Sequence, residues 1–444
     1  MANAYIPIGK LFNVQKGQLQ STKCTPGEFD FITAAEDWKT HESFEYDCEA
    51  LIFAAAASGS LGRTHYVDGK FISSDLCYIL TPKNEQIYPL NLAFYHFVFN
   101  SLRPIIVKAT KLGMSKESIN QSNFNKFELP YFDIEQQDLW ISKLKDTLVR
   151  KDLIIAELEH QQSLLKKFKQ RILQEAIEGK LTSNWRMKNA DIETASQLLV
   201  RIASEKNQLN KDKKPKTQNQ LIPISDNEKP FELPEKWAWC PLGEIAYGFQ
   251  YGTSSKSLEV GKIPVLRMGN IQSGEVFWEG LVFSNDDDEI EQYKVEDGDL
   301  LFNRTNSREL VGKTALFRGD RQSIFAGYLV RFRMALDICP EYANFVMNSI
   351  LHTEWCNGVK TDALGQSNIN ASKLRMFRFP LPPLLEQKMI VVKVKKLLML
   401  CDRLETSITD NQNHAAQLMQ AVLKEAFSQN DNELTKVESE TVCA

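Results

Sequence analysis

The sequence predicts an α+β fold in which two mixed α/β domains are separated by a pair of long antiparallel coiled-coil helices, arranged as a pseudo-twofold internal repeat. Three observations lead to this prediction. One stretch recurs 250 positions further along without a gap, short apolar runs alternate with polar turns in the first part of each copy, and each copy closes with an apolar heptad pattern.

The repeat is clearest at the end of each globular part. Residues 119–137 read INQSNFNKFELPYFDIEQQ, and residues 369–387 read INASKLRMFRFPLPPLLEQ. Because self-similarity over such a long period reflects a duplicated structural unit, the chain is predicted to hold the same joint twice. Further matches at this offset are Gly62 with Gly312, Tyr78 with Tyr328, and QRILQEA with QAVLKEA.

The globular parts are predicted at 1–132 and 234–382. Short apolar runs such as ALIFAAA and DLLFNRT alternate there with polar turns and with helical patches such as NLAFYHFVFNSL, a pattern typical of a mixed α/β domain. The openings IPIGKLF and CPLGEIA are only 234 positions apart, so the second domain carries 16 additional residues before Gly298.

Long helices are predicted at 133–182 and 383–430. Prolines prevent a helix from starting before Ile134 and Leu384, and no proline or glycine follows until Gly179. About 45 residues give a rod of roughly 65 to 70 Å. An antiparallel pair would bury the two stripes against each other and set the domains at opposite ends. The predicted seam residues are Ile141, Leu144, Leu148, Leu158, Leu165 and Ile172, with Val391, Val394, Leu398, Ile408 and Val422 in the second copy.

Two segments lie outside this plan. Residues 183–233 hold an amphipathic segment and then a lysine-rich stretch almost free of large apolar residues, which is predicted to be a flexible linker. Residues 431–444 are predicted to form an acidic, frayed tail.

Composition and motifs argue against membrane insertion and against catalysis. The chain is 43% hydrophobic with a net charge of −4, and it has no apolar run long enough to cross a bilayer and no secretory signal, so a cytoplasmic location is expected. Eight cysteines without a C-x-x-C predict reduced core thiols and no metal site. The acidic run 285–289 lacks the ligand spacing of a calcium loop and is read as a solvated turn.

One stretch resembles a nucleotide-binding motif. Gly312, Lys313 and Thr314 look like the end of a phosphate-binding loop, but position 307 is a serine where that loop requires glycine. The first copy has Arg63 in place of the lysine. A turn between two strands is the preferred interpretation, and the chain is not expected to be an enzyme by itself.

Two related but diverged domains at a fixed separation suit the reading of DNA at two places. Affinity for phosphate depends on where cations cluster, so the net negative charge does not exclude this partner. Arginine, lysine, asparagine, glutamine and serine side chains are the types that read base edges or phosphates. The candidate DNA-binding residues are Arg267, Asn270, Gln272, Arg304, Asn306, Arg308, Lys313, Gln366, Ser367 and Asn368 in the second domain, and Ser58, Ser60, Arg63, Ser115 and Lys116 in the first.

Four stretches, which follow one another along the chain, carry a specific resemblance to a known family. They are ILQEAIEGKLTSNWR, LPEKWAWCPLGEI, GDLLFNRTNSRELVGKTALF and GQSNINASKLRMFRFPLPPLLEQ, starting at residues 172, 233, 298 and 365. Over nearly its whole length the chain resembles the DNA-specificity subunit of a type I restriction-modification system (HsdS family). One departure is Ala54, which stands at the sequence position equivalent to Arg304.

The resemblance implies that each domain is a target recognition domain for one half of a bipartite, asymmetric site in double-stranded DNA, with the helices as a ruler over the spacer. It implies two modification subunits, which use S-adenosylmethionine to methylate adenine, and two restriction subunits, which use ATP and Mg for translocation and cleavage. No cofactor is then expected on this chain. Two other readings stay open: a coiled-coil scaffold without DNA readout, and a P-loop ATPase. Divergent polar loops beside well-matched joints favour the DNA reading, because a scaffold gains nothing from two loop sets.

Overall fold

The computed structural model describes residues 4–56, 59–112, 118–209, 229–363 and 365–441. The chain divides into two compact units, Met1–His160 with Thr409–Ala444, and Gln161–Ile408. Each unit contains a mixed α/β domain and parts of two long helices, so the predicted α+β class is confirmed. Among the described residues, no helix has the length and apolar character needed to cross a membrane.

The first domain is built on a six-stranded sheet with strand order β2-β7-β5-β6-β3-β4. The second half of β5 is fully buried because both faces of the sheet are covered. Leu51 and Phe53 pack on the side of helix α2, while Ala50 and Ile52 face a smaller core on the other side. The elements are β1 (Tyr5–Pro7), α1 (Ile8–Leu11), β2 (Phe12–Lys16), β3 (Phe29–Ile32), β4 (Lys39–His41), β5 (Tyr46–Ala54), β6 (Thr64–Ser73), β7 (Cys77–Pro82), α2 (Leu92–Thr110), β8 (Lys111–Leu112), β9 (Ser118–Ile119), α3 (Gln121–Lys126) and β10 (Glu128–Pro130).

The second domain repeats this frame with additional pieces. Its central sheet has the order β12-β21-β17-β19, equivalent to β2-β7-β5-β6, and the strand after β12 again runs parallel to a later strand, β20. The elements of this domain are β11 (Ala238–Pro241), α7 (Leu242–Ile245), β12 (Ala246–Tyr251), β13 (Ile263–Leu266), β14 (Ile271–Gln272), β15 (Glu275–Val276), β16 (Val282–Ser284), α8 (Asp287–Gln292), β17 (Asp299–Asn303), β18 (Thr305–Asn306), β19 (Thr314–Leu316), β20 (Ile324–Phe325), β21 (Leu329–Met334), α9 (Pro340–Met347), α10 (Ile350–Val359), β22 (Thr361–Ala363), β23 (Gln366–Asn368), α11 (Ala371–Arg375) and β24 (Arg378–Leu381). The long helices are α4 (Ile134–Ile177) and α12 (Leu384–Thr441), and two shorter helices, α5 (Ser183–Lys188) and α6 (Ala195–Leu209), follow α4 in the chain.

The joint between domain and helix is built in the same way twice. Gln137 accepts a hydrogen bond from the Asn91 backbone at 2.7 Å and donates to the Phe132 carbonyl at 2.7 Å. Gln387 accepts from the Cys339 backbone at 2.8 Å and donates to the Pro382 carbonyl at 2.9 Å. Both amides are fully buried, so each ties the first turn of a long helix to the start of a domain helix, α2 or α9.

The long helices begin at Ile134 and Leu384, the residues that the prolines predicted. Every predicted seam position is buried or half-buried. In the second unit, Lys169 contacts Asp402 at 2.9 Å, and Thr182, beyond the end of α4, bonds to Glu386 at 2.7 Å. Residue numbers therefore rise along one segment while they fall along the other, which is an antiparallel pairing.

The predicted helix ends were wrong in both copies. α4 stops at Ile177 rather than at 182, because Gly179 adopts a φ of +73° and turns the chain. α12 continues to Thr441, through most of the segment predicted to be a frayed tail, since no proline or glycine follows Leu384. Residues 210–228, which hold most of the predicted linker, lie outside the described residues.

The amphipathic segment belongs to the second unit. Helix α6 donates hydrogen bonds from the Lys206 ammonium to the carbonyls of Gly243 at 3.0 Å and Ala246 at 2.8 Å, at the end of the short helix α7. Burial lowers the pKa of Lys206 to about 8. The amphipathic pattern is therefore explained by docking of α6 on the second domain.

The register of the strands corrects two pairings that the sequence suggested. The Ala54 backbone donates to Arg63 just as that of Asn303 donates to Lys313, and Ile119 donates to Ala55 just as Ile369 donates to Arg304. Ala55, and not Ala54, is thus the counterpart of Arg304. The constant offset failed here because the turn after β17 is one residue longer than the turn after β5.

The same one-to-one comparison separates the two tyrosines. Tyr78 pairs with Phe53 on the helix side of the sheet, where Val330 pairs with Phe302. Tyr78 is buried and bonds to the Ile119 carbonyl at 2.9 Å, whereas Tyr328 is exposed. The counterpart of Tyr78 is therefore Val330, and Tyr328 lies at a different point of the repeat.

Candidate nucleic-acid interface

A small three-stranded sheet brings together predicted site residues that are far apart in sequence. In the order β18-β23-β22, Thr305 pairs with Asn368 and Asn306 with Ser367. The Asn368 amide donates to the Thr305 hydroxyl at 2.7 Å, which holds the two strands in register. Gln366, the first residue of β23, and Arg308, two residues beyond β18, are exposed.

Arg304 lies at the base of this small sheet, between β17 and β18. Its guanidinium lies 4.5 Å from the ring centroid of Tyr251, the last residue of edge strand β12. The Tyr251 hydroxyl in turn accepts a hydrogen bond from the Ala371 backbone at 3.0 Å. An arginine held flat on a ring keeps its N–H edge for a planar acceptor. One terminal nitrogen of Arg304 donates to the Gly327 carbonyl at 3.5 Å, while its Nε atom is buried and has no hydrogen-bond partner among the described residues.

Two lysines that the sequence reading missed support the same surface. Lys360 donates to the Arg308 carbonyl at 2.9 Å, and Lys373 donates to the Thr361 hydroxyl at 2.8 Å. Both bring positive charge to the β22–β23 hairpin while fixing its backbone. No local sequence pattern marks them, because each reaches a residue on another element.

Two predicted contact residues are buried and bonded to other groups of this chain. Ser367 is buried and donates its hydroxyl to Asp362 at 2.5 Å. Asn270 is also buried: its carbonyl accepts from the Arg267 backbone, and its amide donates to the carbonyls of Phe277 and Glu279, both at 2.9 Å. Because their polar atoms are engaged within their own loops, the structure gives no support to these two side chains as DNA contacts.

Other predicted residues lie elsewhere in the second domain. Arg267 is exposed and donates to the Gly280 carbonyl at 2.9 Å, and Gln272 is exposed on the β14–β15 hairpin. This hairpin turns through Ser273 and Gly274, both with positive φ. It packs beside β19, where Leu316 donates to the Gly274 carbonyl, and it does not share the sheet that holds Asn306.

The turn that resembled a phosphate loop has a packing explanation. Gly312 has a φ of +95°, and a Cβ there would lie 2.4 Å from the Cys356 sulfur. The Thr314 hydroxyl is buried and bonds to the Gly312 carbonyl at 3.1 Å. Lys313 is half-buried in this turn. The prediction of a turn between strands is confirmed, and the glycine is required by its backbone conformation and its close neighbour.

The first domain offers fewer of the predicted contacts. Arg63 is half-buried and lies 3.4 Å from the exposed carboxylate of Glu36, a weak surface pair. Ser60 is half-buried in the turn around Gly62. Ser58, Ser115 and Lys116 lie outside the described residues. By strand register, Lys16 is the counterpart of Tyr251 and Ala55 is the counterpart of Arg304. The first domain therefore lacks the arginine–tyrosine stack.

The long helices carry exposed apolar side chains at equivalent positions of the two copies. Val149 and Met399, which are 250 residues apart, are 58% and 49% exposed. Ile154 and Leu404, which are also 250 residues apart, are 44% and 55% exposed. These four residues lie outside the seam, so each unit presents an apolar helix patch to solvent. Within the described residues, no cluster of three or more histidine, cysteine or acidic side chains could hold a metal ion.

Two copies of one frame, each joined to a long helix and each bearing its own polar loops, define the class of two-domain DNA-specificity proteins. A family model described as the type I restriction modification DNA specificity domain matches residues 4–161 and 234–411. The chain belongs to this family and is a specificity subunit of a type I restriction-modification system.

Individual relatives agree with this assignment. The chain is 35% identical over 274 residues to the type I restriction enzyme EcoAI specificity subunit of Escherichia coli, a match covering 59% of this chain and 44% of that protein. The chain thus spans less than half the length of that relative. It is 25% identical over 433 residues to the EcoKI specificity subunit of Escherichia coli strain K12, covering 95% of this chain and 82% of that protein.

A solved structure shares the fold. The HsdS subunit from Thermoanaerobacter tengcongensis matches with a TM-score of 0.54 at 14% identity, and the match covers 96% of each chain. At this identity the likeness concerns the fold alone.

Proposed function

We propose that the chain recognises a bipartite, asymmetric site in double-stranded DNA, one half with each domain, and directs adenine methylation and cleavage by partner subunits. One observation carries this proposal: the two domains share a frame but place different side chains at equivalent recognition positions. Arg304 and Tyr251 in the second domain correspond to Ala55 and Lys16 in the first. Two different surfaces on one frame suit two different half-sites.

Arg304 is the residue best suited to read a base in the second half-site. Arginine most often recognises guanine through a bidentate contact to O6 and N7, which needs a flat, oriented guanidinium. The stack on Tyr251 supplies that orientation. Arg308 pairs with Asp362 at 3.6 Å while both side chains are well exposed, so it suits a phosphate contact that needs no fixed geometry.

The partners follow from the helices. The pairs Val149/Met399 and Ile154/Leu404 form two equivalent apolar patches, and equivalent patches suit two copies of one partner. We assign them to two modification subunits, which would carry S-adenosylmethionine. Two restriction subunits would then add ATP- and Mg-dependent steps, and this chain would contribute no catalysis in the cytoplasm where the complex acts.

DNA recognition can be tested with the complex of this chain and its modification subunit. Electrostatic contact to phosphates predicts that the logarithm of the affinity for duplex DNA falls linearly with the logarithm of salt concentration. Methylome sequencing of cells that express the complex should then reveal a two-part adenine-methylated motif with an unspecified spacer. An affinity insensitive to salt, together with no methylated motif, would favour the scaffold interpretation.

A further inference from the structure

The first unit contains an open cleft whose lining includes none of the candidate DNA-binding residues. It has a volume of about 440 Å³ and lies between the start of β6, helix α2 and helix α4. Its walls include Trp38, His65, Tyr66, Phe97 and Lys145, and we call it the β6–α2 cleft. The Trp38 indole donates to the His65 ring at 3.2 Å, which fixes one wall.

The internal repeat identifies the equivalent place in the second domain. Asn100 donates to the Thr64 carbonyl at 2.9 Å, and Asn348 donates to the Thr314 carbonyl at 3.2 Å. Counting back along both helices from these asparagines, the cleft residue His96 corresponds to Asn344. Counting forward along the strands from Thr64 and Thr314, Tyr66 corresponds in the same way to Leu316.

In the second domain this place is filled by the β14–β15 hairpin. The Gly274 carbonyl at its turn accepts hydrogen bonds from the Leu316 backbone at 3.1 Å and from the Asn344 amide at 2.9 Å. The cleft is open in the first domain because residues 33–38 join β3 to β4, whereas the longer connection 267–281 joins β13 to β16. The second domain therefore supplies from its own chain the tight turn that the first domain lacks.

The charges of the two places differ as well. In the second domain, Lys395 on α12 pairs with Glu341 at 3.0 Å. Lys145 on α4 is the counterpart of Lys395, but Ala93 stands at the position of Glu341. The pairing inside the second domain is thus replaced in the first by a lysine at the cleft without that carboxylate.

We propose that the β6–α2 cleft receives a tight β-turn of the modification subunit, whose acidic side chain pairs with Lys145. The proposal rests on the function proposed above. The turn is inferred from the hairpin that fills the same place in the second domain, and the acidic side chain from the loss of the Glu341 carboxylate. Lys145 is one helical turn before exposed Val149, so the cleft is continuous with the helix patch assigned to the same partner.

Site-specific photocrosslinking in the assembled, DNA-bound complex tests the proposal. A benzoylphenylalanine probe replacing Phe97 should crosslink to a turn of the modification subunit that contains aspartate or glutamate. The same probe replacing Phe345, the counterpart in the second domain, should crosslink only within this chain. A probe at Val149 reports on the helix patch itself.

The outcomes separate the two proposals. Crosslinks from Val149 but none from Phe97 to the modification subunit would overturn the cleft proposal and leave the helix patch intact. Crosslinks from Phe97 to DNA would also overturn it. If Val149 also fails to crosslink to the modification subunit, the assignment of this partner to the helices falls as well.

A charge reversal provides a second readout. Lys145→Glu should weaken association with the modification subunit about tenfold, while Lys395→Glu, which alters a pair internal to the second domain, should change it less than twofold. Ala93→Glu should mimic the second domain by pairing with Lys145 and weaken association in the same direction. Unchanged association for both first-domain variants, with unchanged thermal melting, would contradict the proposal.

Discussion

The two domains of this chain differ where they face outward and agree where they join the helices. In both copies a buried glutamine on a long helix holds the backbone of a domain helix, and a tyrosine hydroxyl bonds to the proline carbonyl before the joint, Tyr95 to Pro130 and Tyr342 to Pro380. At the positions proposed to read DNA the copies differ: the second domain has an arginine on a tyrosine ring, where the first domain has an alanine and a lysine. Duplication has therefore kept the joint and changed the surface.

The largest expected effect is on stability, at the buried glutamine joint that both domains share. Gln137→Leu and Gln387→Leu should each lower the free energy of unfolding by about 3 kcal/mol, because each leaves a buried backbone N–H and C=O without partners. Chemical denaturation of the full chain measures the change, and Gln136→Leu, an exposed neighbour, is the matched control. A large cost at one joint and none at the other would break the claim that the joints are equivalent.

The next largest effect is on DNA binding, at Arg304, for which the first domain has no equivalent arginine. Arg304→Ala should cost about 2 kcal/mol in binding to the correct second half-site and relax its sequence there, while the first half-site stays as strict as before. Arg308→Ala should instead weaken binding to all sequences alike. Methylome sequencing of both variants decides between these patterns, and equal loss at both half-sites for Arg304→Ala would indicate misfolding.

The smallest expected effect is a pH dependence of folding stability that comes from a buried histidine of the second domain. His352 is fully buried against Phe377 and Trp355, and burial lowers its pKa to about 3. The unfolded chain binds this proton below about pH 6.5, so stability falls as the pH drops below that value, by about 1.4 kcal/mol per unit. Relative to His352→Gln, which lacks this titrating group, the natural chain should therefore lose thermal stability as the pH falls from 7 to 5, and a constant difference between the two chains over that range would contradict the prediction.

Periodicity and proline placement predicted much of the fold. The heptad stripes marked the buried face of both helices, and prolines set both helix starts, because these features depend on local backbone chemistry. The one-residue shift that makes Ala55 the counterpart of Arg304 was not predictable, since strand register depends on hydrogen bonds between distant strands.

The candidate site was predictable only in part. Residue type identified Arg304 and Asn306 as candidates. It could not distinguish them from Asn270 and Ser367, whose side chains hydrogen-bond within their own loops. Tyr251 was missed because its importance lies in a contact with a residue 53 positions away. No residue pattern marks the β6–α2 cleft; its trace in the sequence is the 16-residue difference in length between the two copies, because the cleft arises from a connection that is short relative to its counterpart.

The central claim is that two different surfaces read DNA at a separation set by the helices. Four helical residues inserted at equivalent points of both copies, after Glu157 and after Ser407, should add about 6 Å, or roughly two base pairs. Methylome sequencing of cells expressing this variant with its modification subunit should show the same two half-sites with a spacer longer by about two base pairs. An unchanged spacer in an assembled, active complex would contradict the claim.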